Sequence, residues 1–200
     1  MTDTVPERVA RAFSEHEAFE DGERSEERRG ELDEFLVRTT DFDATVRIED
    51  GEGGHDTERG EGSDDAALRY CVLCRVPTLS AAVEGPVAEV VEEGWFDTFS
   101  LRLEDAAMAV PGTTEIAGPE ASVEGETILV EADFEAESAD RATDIAKALV
   151  DYVEGTYVEG VIPGYEYRPP VSGLLANARQ GGGDTGGDDS GTNAGGPMPM

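Results

Sequence analysis

An α+β fold is what the sequence predicts: helix, three strands, helix, two strands, helix, with a mostly antiparallel sheet and helices packed on it. Three observations lead there. Apolar residues recur at helical spacing in some stretches and alternate in others. Most candidate strands follow one another through connections short enough for hairpins, and hairpins make antiparallel sheets. The 41 Leu, Ile, Val and Phe residues also avoid Glu20–Glu31, Glu49–Ala67 and Ala176–Met200 altogether, which concentrates them in the other 144 positions. That density lies above the level at which highly charged chains stay unfolded.

The elements follow in order. Val5, Val9, Ala12, Phe13 and Phe19 recur at helical spacing around Pro6, so a first helix is expected over roughly residues 5–19. Phe35-Leu36-Val37 begins a strand that turns near Asp41–Asp43 and returns as Thr45-Val46-Arg47-Ile48. Leu68, Tyr70, Val72, Cys74 and Val76 alternate on one face of a third strand, which Pro77 ends. A helical region restarts at Pro86 and carries Val87, Val90, Val91, Trp95, Phe99 and Leu103. Val123 and Thr127–Phe134 make a short and a long strand around Gly125. Ser138 caps a last helix that buries Ala142, Ile145, Leu149, Tyr152 and Val153, and Gly160 and Pro163 stop it. With 200 residues the expectation is a single α+β domain over 1–176, with a disordered acidic loop at about 50–66 and a flexible Gly/Asp-rich tail over 177–200.

Charge narrows the partners. The chain carries 46 acidic against 15 basic residues, a formal net charge of -31, and Lys147 is its one lysine. Nucleic acid and anionic lipid surfaces are opposed by such a charge, since binding to either depends on Lys and Arg. No nucleic acid and no membrane are therefore expected as partners. There is no hydrophobic run of 18 or more residues, and Met1–Thr4 lacks the basic-then-apolar layout of a secretory leader, so a cytoplasmic protein is expected. A surface this acidic is held soluble and folded where salt is molar. Almost no lysine, abundant Asp and Glu, and many Ala, Val and Gly together resemble a salt-in haloarchaeal cytosolic protein.

Motifs for chemistry are missing. Cys71 and Cys74 form a C-x-x-C, but a zinc site needs four ligands, and the two histidines, His16 and His55, fall on the first helix and in the acidic loop. Within a strand, three steps separate the two Cα atoms by about 10 Å and point the thiols to opposite faces, whereas a disulfide wants about 5.5 Å. Glu49–Gly62 lacks Ca²⁺-loop spacing, and the G-x-G fragments near Gly51 and Gly60 do not open a helix. No P-loop, G-x-S-x-G or H-E-x-x-H occurs. Catalytic residues, metal ligands and cofactors are accordingly expected to be none.

Two aromatic regions stand out. Trp95-Phe96-Asp97-Thr98-Phe99 packs three large rings into five residues, more than one helix face can bury, so at least one belongs at a rim or contact. Residues 138–179 have a net charge of only -2 and hold four of the five tyrosines, Tyr152, Tyr157, Tyr165 and Tyr167. Tyrosine suits interfaces because its ring is apolar and its tip polar. Val161-Ile162-Pro163-Gly164-Tyr165-Glu166-Tyr167-Arg168-Pro169-Pro170 reads as a stiff, extended strap. Core packing and sheet cover come first for these aromatics, ahead of a protein-binding surface and of a ligand pocket.

With Val76-Pro77-Thr78-Leu79, Gly94–Phe99 and Ala146–Pro170 in place, the chain resembles a small haloarchaeal family of unknown function across roughly residues 5–176. That resemblance brings no activity, cofactor or partner. The order of elements over about residues 5–160 resembles the secretion-chaperone-like fold, whose members are small dimeric adaptors holding partner proteins. The resemblance implies a protein partner and a homodimer. Two functions therefore compete. One is a non-enzymatic protein-binding or adaptor module, with Trp95, Phe96, Tyr152, Tyr157, Tyr165, Glu166, Tyr167 and Arg168 as interaction candidates. The other is a small-ligand-binding protein or enzyme with a pocket closed by the Tyr165–Arg168 strap, where Arg168 would hold an anion.

Overall fold

The computed structural model describes residues 5–22, 34–49, 68–110, 112, 114–136 and 138–181. The acidic loop expected at 50–66 and the tail from 182 onward lie outside them. Helix α1 (Glu7–Glu15) begins where the Pro6 carbonyl accepts the Val9 and Ala10 N–H groups, and it buries Val9 and Phe13 four residues apart on one face. It is shorter than the sequence predicts. His16 turns extended, its Nδ1 accepts the Ala18 N–H at 3.2 Å, and Phe19 starts strand β1 (Phe19–Asp21). Phe19 is buried as the helical spacing implies, but it reaches the core from a strand.

Strands β2 (Glu34–Val37), β3 (Asp43–Glu49) and β4 (Leu68–Pro77) follow as expected. Two short helical pieces, α2 (Leu79–Ala82) and α4 (Ala106–Ala109), flank α3 (Glu89–Leu103), which runs unbroken through Gly94. Strand β5 (Ile116–Glu124) is longer than the sequence suggests, because its polar, edge-exposed residues carry no apolar alternation to read. A two-residue turn at Gly125, whose φ is +64°, joins it to β6 (Thr127–Ala136). Helix α5 (Ala139–Glu159) starts at Ser138, whose hydroxyl accepts the Arg141 N–H at 3.5 Å, and ends at Gly160.

The six strands form one antiparallel sheet in the order β1-β2-β3-β4-β6-β5. The α+β class predicted from sequence is therefore the one observed, with one more strand at the start. Phe35, Val46, Tyr70, Val72, Cys74, Ile128 and Val130 point to the face that α1, α3 and α5 cover, forming a single apolar cluster with Phe13, Phe99, Leu149 and Val153. At the β5 edge the register shifts between Ala117 and Glu120, and Gly118 sits there at φ +91°, where a Cβ would lie 2.8 Å from the Glu131 carbonyl oxygen. Such a bulge, with Pro119 beside it, discourages further strands from adding to that edge.

Helix α6 (Val171–Gly181) was not expected from the sequence, and it runs past residue 176, where the tail was expected to begin. Val171 and Leu174 are buried, packed into the same cluster as α5. Their i, i+3 spacing after Pro169-Pro170 is the available signal, but it is only three apolar residues long counting Leu175.

Candidate functional site

The two aromatic regions meet. Trp95 and Phe99, one turn apart on α3, stack with ring centroids 5.5 Å apart and planes 3° from parallel. Tyr157 of α5 stands edge-on to both, at 5.3 and 5.9 Å, and Phe42 approaches its ring at 5.0 Å. The indole N–H of Trp95 donates to the Gly160 carbonyl at 2.9 Å, which pins α3 to the end of α5. Tyr152 adds a second tie, its hydroxyl donating to the Arg102 carbonyl at 2.7 Å. These contacts place Trp95 and Tyr157 in the core, with Phe96 and Tyr152 half-buried at its margin.

The strap Tyr165–Arg168 lies along the segment after α2. Tyr167 forms an antiparallel bridge with Val83, the Glu84 N–H donates to the Glu166 carbonyl and the Arg168 N–H to the Ala82 carbonyl, both at 2.7 Å. The Tyr167 hydroxyl accepts the Ile162 N–H at 2.9 Å and donates to the Ile162 carbonyl, closing the strap on itself. One guanidinium nitrogen of the exposed Arg168 reaches the Ala81 carbonyl at 3.4 Å. Tyr165 is partly buried against the core and Glu166 is exposed.

Beneath the strap one group is left unmatched. The Tyr157 hydroxyl is buried without a hydrogen-bond partner, and burial, with Tyr167 and Glu92 nearby, pushes its ionisation well above the ordinary phenol range. An unpaired buried hydroxyl costs about 1–3 kcal/mol. Tyr157→Phe keeps the ring contacts and removes that cost, so thermal denaturation should show a raised midpoint; a lowered midpoint would mean the hydroxyl has a partner worth keeping.

Two cavities flank these elements. The larger, about 840 Å³, is lined by charged groups, among them Arg69, Asp133, Glu135 and Arg141. Arg69 is paired with Asp133 at 2.9 Å, and Arg141 donates to the Thr114 hydroxyl at 2.8 Å, so these arginines are spent on neighbouring side chains. The smaller is a groove of about 360 Å³ between α3 and the end of α5. Val90, Val91, Gly94, Trp95, Phe99 and Ile162 make its apolar lining. Val90 is 73 % exposed and Leu101, on the same side of α3, 65 %. Of the apolar residues that the sequence assigns to this helical region, Val90 is turned to solvent, and Gly94 beside it is open, with nothing within 4 Å of a Cβ built there. Polar atoms in the groove wall are mostly occupied, since the Thr98 hydroxyl donates to the Gly94 carbonyl at 2.8 Å and the Trp95 N–H to Gly160. None of Tyr165–Arg168 lines either cavity, though Ile162 at the start of the strap lines the groove. Of the sequence candidates only Trp95 borders the groove. A glycine inside a helical pattern, with Val90 off the buried face, is the signal that would have found it.

The two cysteines sit in β4 on opposite faces, Cys74 opposite Val130 in the core and Cys71 opposite Asp133, both buried and unbridged. Burial is the main reason each thiol is pushed up to about 12, as is the Tyr70 phenol. Thiols that stay protonated are poor nucleophiles and poor metal ligands. A thiol reagent at neutral pH should therefore leave both unmodified until denaturant is added; rapid labelling of the folded protein would contradict this. The same shifts set an alkaline limit. In the unfolded chain the cysteines lose protons from their ordinary 9.0, while the folded protein holds them until about 12. The unfolded state binds fewer protons in that window, so stability falls as pH rises from about 9 to 12.

An α+β protein with an antiparallel sheet, helices packed on it and an apolar groove between two of those helices is what these elements define. The chain belongs to a family of unknown function, DUF5813, whose model matches residues 14–177. No curated protein and no solved structure is detectably similar to it. Among the described residues, no helix is long and apolar enough to cross a membrane, and no three His, Cys, Asp or Glu side chains are grouped to hold a metal ion.

Proposed function

We propose that the protein is a cytoplasmic, non-enzymatic protein-binding module and that the groove between α3 and the end of α5 is its docking surface. The observation that carries this reading is the outer side of α3, where Val90 and Leu101 stand exposed beside an apolar groove floored by Gly94. Exposed apolar surface next to a groove is a mark of interaction sites. Ligand pockets, by contrast, converge several unspent polar groups on one point, and the Thr98 and Trp95 donors here are already used. The strap supports the same view, because the backbone and hydroxyl of Tyr167 and the backbone of Arg168 are engaged in holding the chain together.

The test compares the full-length tagged protein with Gly94→Leu, both purified from their own cells in salt that preserves the fold. A Cβ at Gly94 meets nothing within 4 Å, so a leucine there adds bulk to the groove, and it favours the helix relative to glycine. Light scattering and mass spectrometry of the native peak should show a second protein in fixed ratio with the wild type and its loss from Gly94→Leu. A partner retained by both would remove the groove from the proposal. A clean monomer with a metabolite bound would favour the ligand-pocket reading.

A further inference from the structure

We infer that the occupant of the groove is a basic amphipathic helix, presented by another protein with arginine or lysine beside its apolar stripe; this rests on the docking reading above. The groove runs along α3 from Val90 to Arg102, about 18 Å at 1.5 Å per residue, which is the length of three helical turns. Its floor contains a glycine, so another backbone can approach closely there. An apolar groove of this kind is filled by residues at i, i+3, i+4 and i+7 of a partner helix.

Charge supplies the selection. On α3, Glu93 lies three residues from Val90, and Asp97 three from Gly94 and four from Leu101, both exposed on the outer side of the helix. On the opposite wall Glu159 lines the groove. The lining itself holds one carboxylate, Glu159, and one guanidinium, Arg102, so the excess of negative charge comes from Glu93 and Asp97 on the exposed face of α3 beside it. Within a chain of net charge -31, a second copy would bring the same carboxylates against one another, whereas a cationic helix meets them with opposite charge.

Trp95 is the only tryptophan of the chain and lines the groove, so its emission reports occupancy directly. The full-length protein, in KCl sufficient to keep its circular dichroism native, is titrated with two synthetic helical peptides of about 15 residues that share one apolar stripe. One carries arginines at the flanking positions and the other glutamates. The arginine peptide is expected to shift Trp95 emission and bind several-fold tighter, Gly94→Leu to abolish the shift, and the double substitution Glu93→Arg with Asp97→Arg to reverse the preference. Equal or tighter binding of the glutamate peptide would overturn the basic partner while leaving a docking groove. If neither peptide binds but the wild type dimerises and Gly94→Leu does not, the occupant is a second copy and the inference is wrong. If neither peptide binds and the wild type stays monomeric, the docking reading falls with it.

Discussion

Phe13→Ala is expected to leave the protein unfolded, or to lower its melting midpoint by tens of degrees. Phe13 is fully buried, and its ring touches three others: Phe35 stacked at 4.8 Å, Phe19 edge-on at 4.9 Å and Tyr70 stacked at 6.0 Å. Tyr70 continues the row to Phe134 at 5.1 Å. One side chain of α1 thus locks the helix to β1, β2 and β4 together. Truncating a buried phenylalanine costs about 3–5 kcal/mol, and each aromatic pair adds about 0.5–1.5 kcal/mol to what its area alone would give. Set against a total stability of about 5–15 kcal/mol, the loss is decisive. Leu36→Ala is the contrast, since Leu36 is 36 % exposed on the face of the sheet opposite to Phe35 and should change the midpoint little. If thermal melts put Phe13→Ala within about 1 kcal/mol of the wild type, α1 is not docked as described.

The same cluster shows what the sequence makes legible. Phe13, Phe19, Phe35 and Tyr70 can all be read as core, because burial follows from apolar character and spacing. The backbone that delivers each one cannot. Phe19 falls at a helical interval from Phe13, yet it arrives from a strand, because the turn at His16–Ala18 is made by a ring nitrogen and a local backbone bond that periodicity does not register. Strands β3, β4 and β6 are readable because apolar residues alternate along them, although in β4 the second face is covered as well, with Cys71 and Leu73 buried on it. Strand β5 is not, because an edge strand with a bulge has little apolar face to display. At the site, the alignment of Trp95 with Tyr157 depends on residues 62 apart in sequence, joined by a main-chain carbonyl at Gly160 that any residue could have supplied. Gly94 became meaningful only once α3 was seen to pass through it with nothing over it.

Salt should matter more to this protein than any single contact. Circular dichroism is expected to show the native signal in about 2 M KCl and its loss below a few tenths molar, where the Debye length lengthens from about 3 Å towards 10 Å. With 46 acidic and 15 basic residues, most carboxylates have no counter-charge to pair with. Pairs among the described residues, such as Arg11–Glu7 at 3.0 Å and Arg38–Glu20 at 4.0 Å, lie on the surface and contribute at most about 1 kcal/mol each. The fold meanwhile places like charges together. Glu120 and Glu131 face each other across β5 and β6, and Glu89, Glu93 and Asp97 follow one another at four-residue intervals along α3. Each contact of this kind opposes folding only while the field between the carboxylates is unscreened. Replacing Glu93 by Gln, Asp97 by Asn and Glu120 by Gln should therefore move the transition to lower KCl without altering the contacts of the core. Full native signal of the wild type in dilute buffer would show that the sheet and its aromatic cluster outweigh the repulsion unaided, and that the acidic surface answers to solubility and not to the stability of the fold.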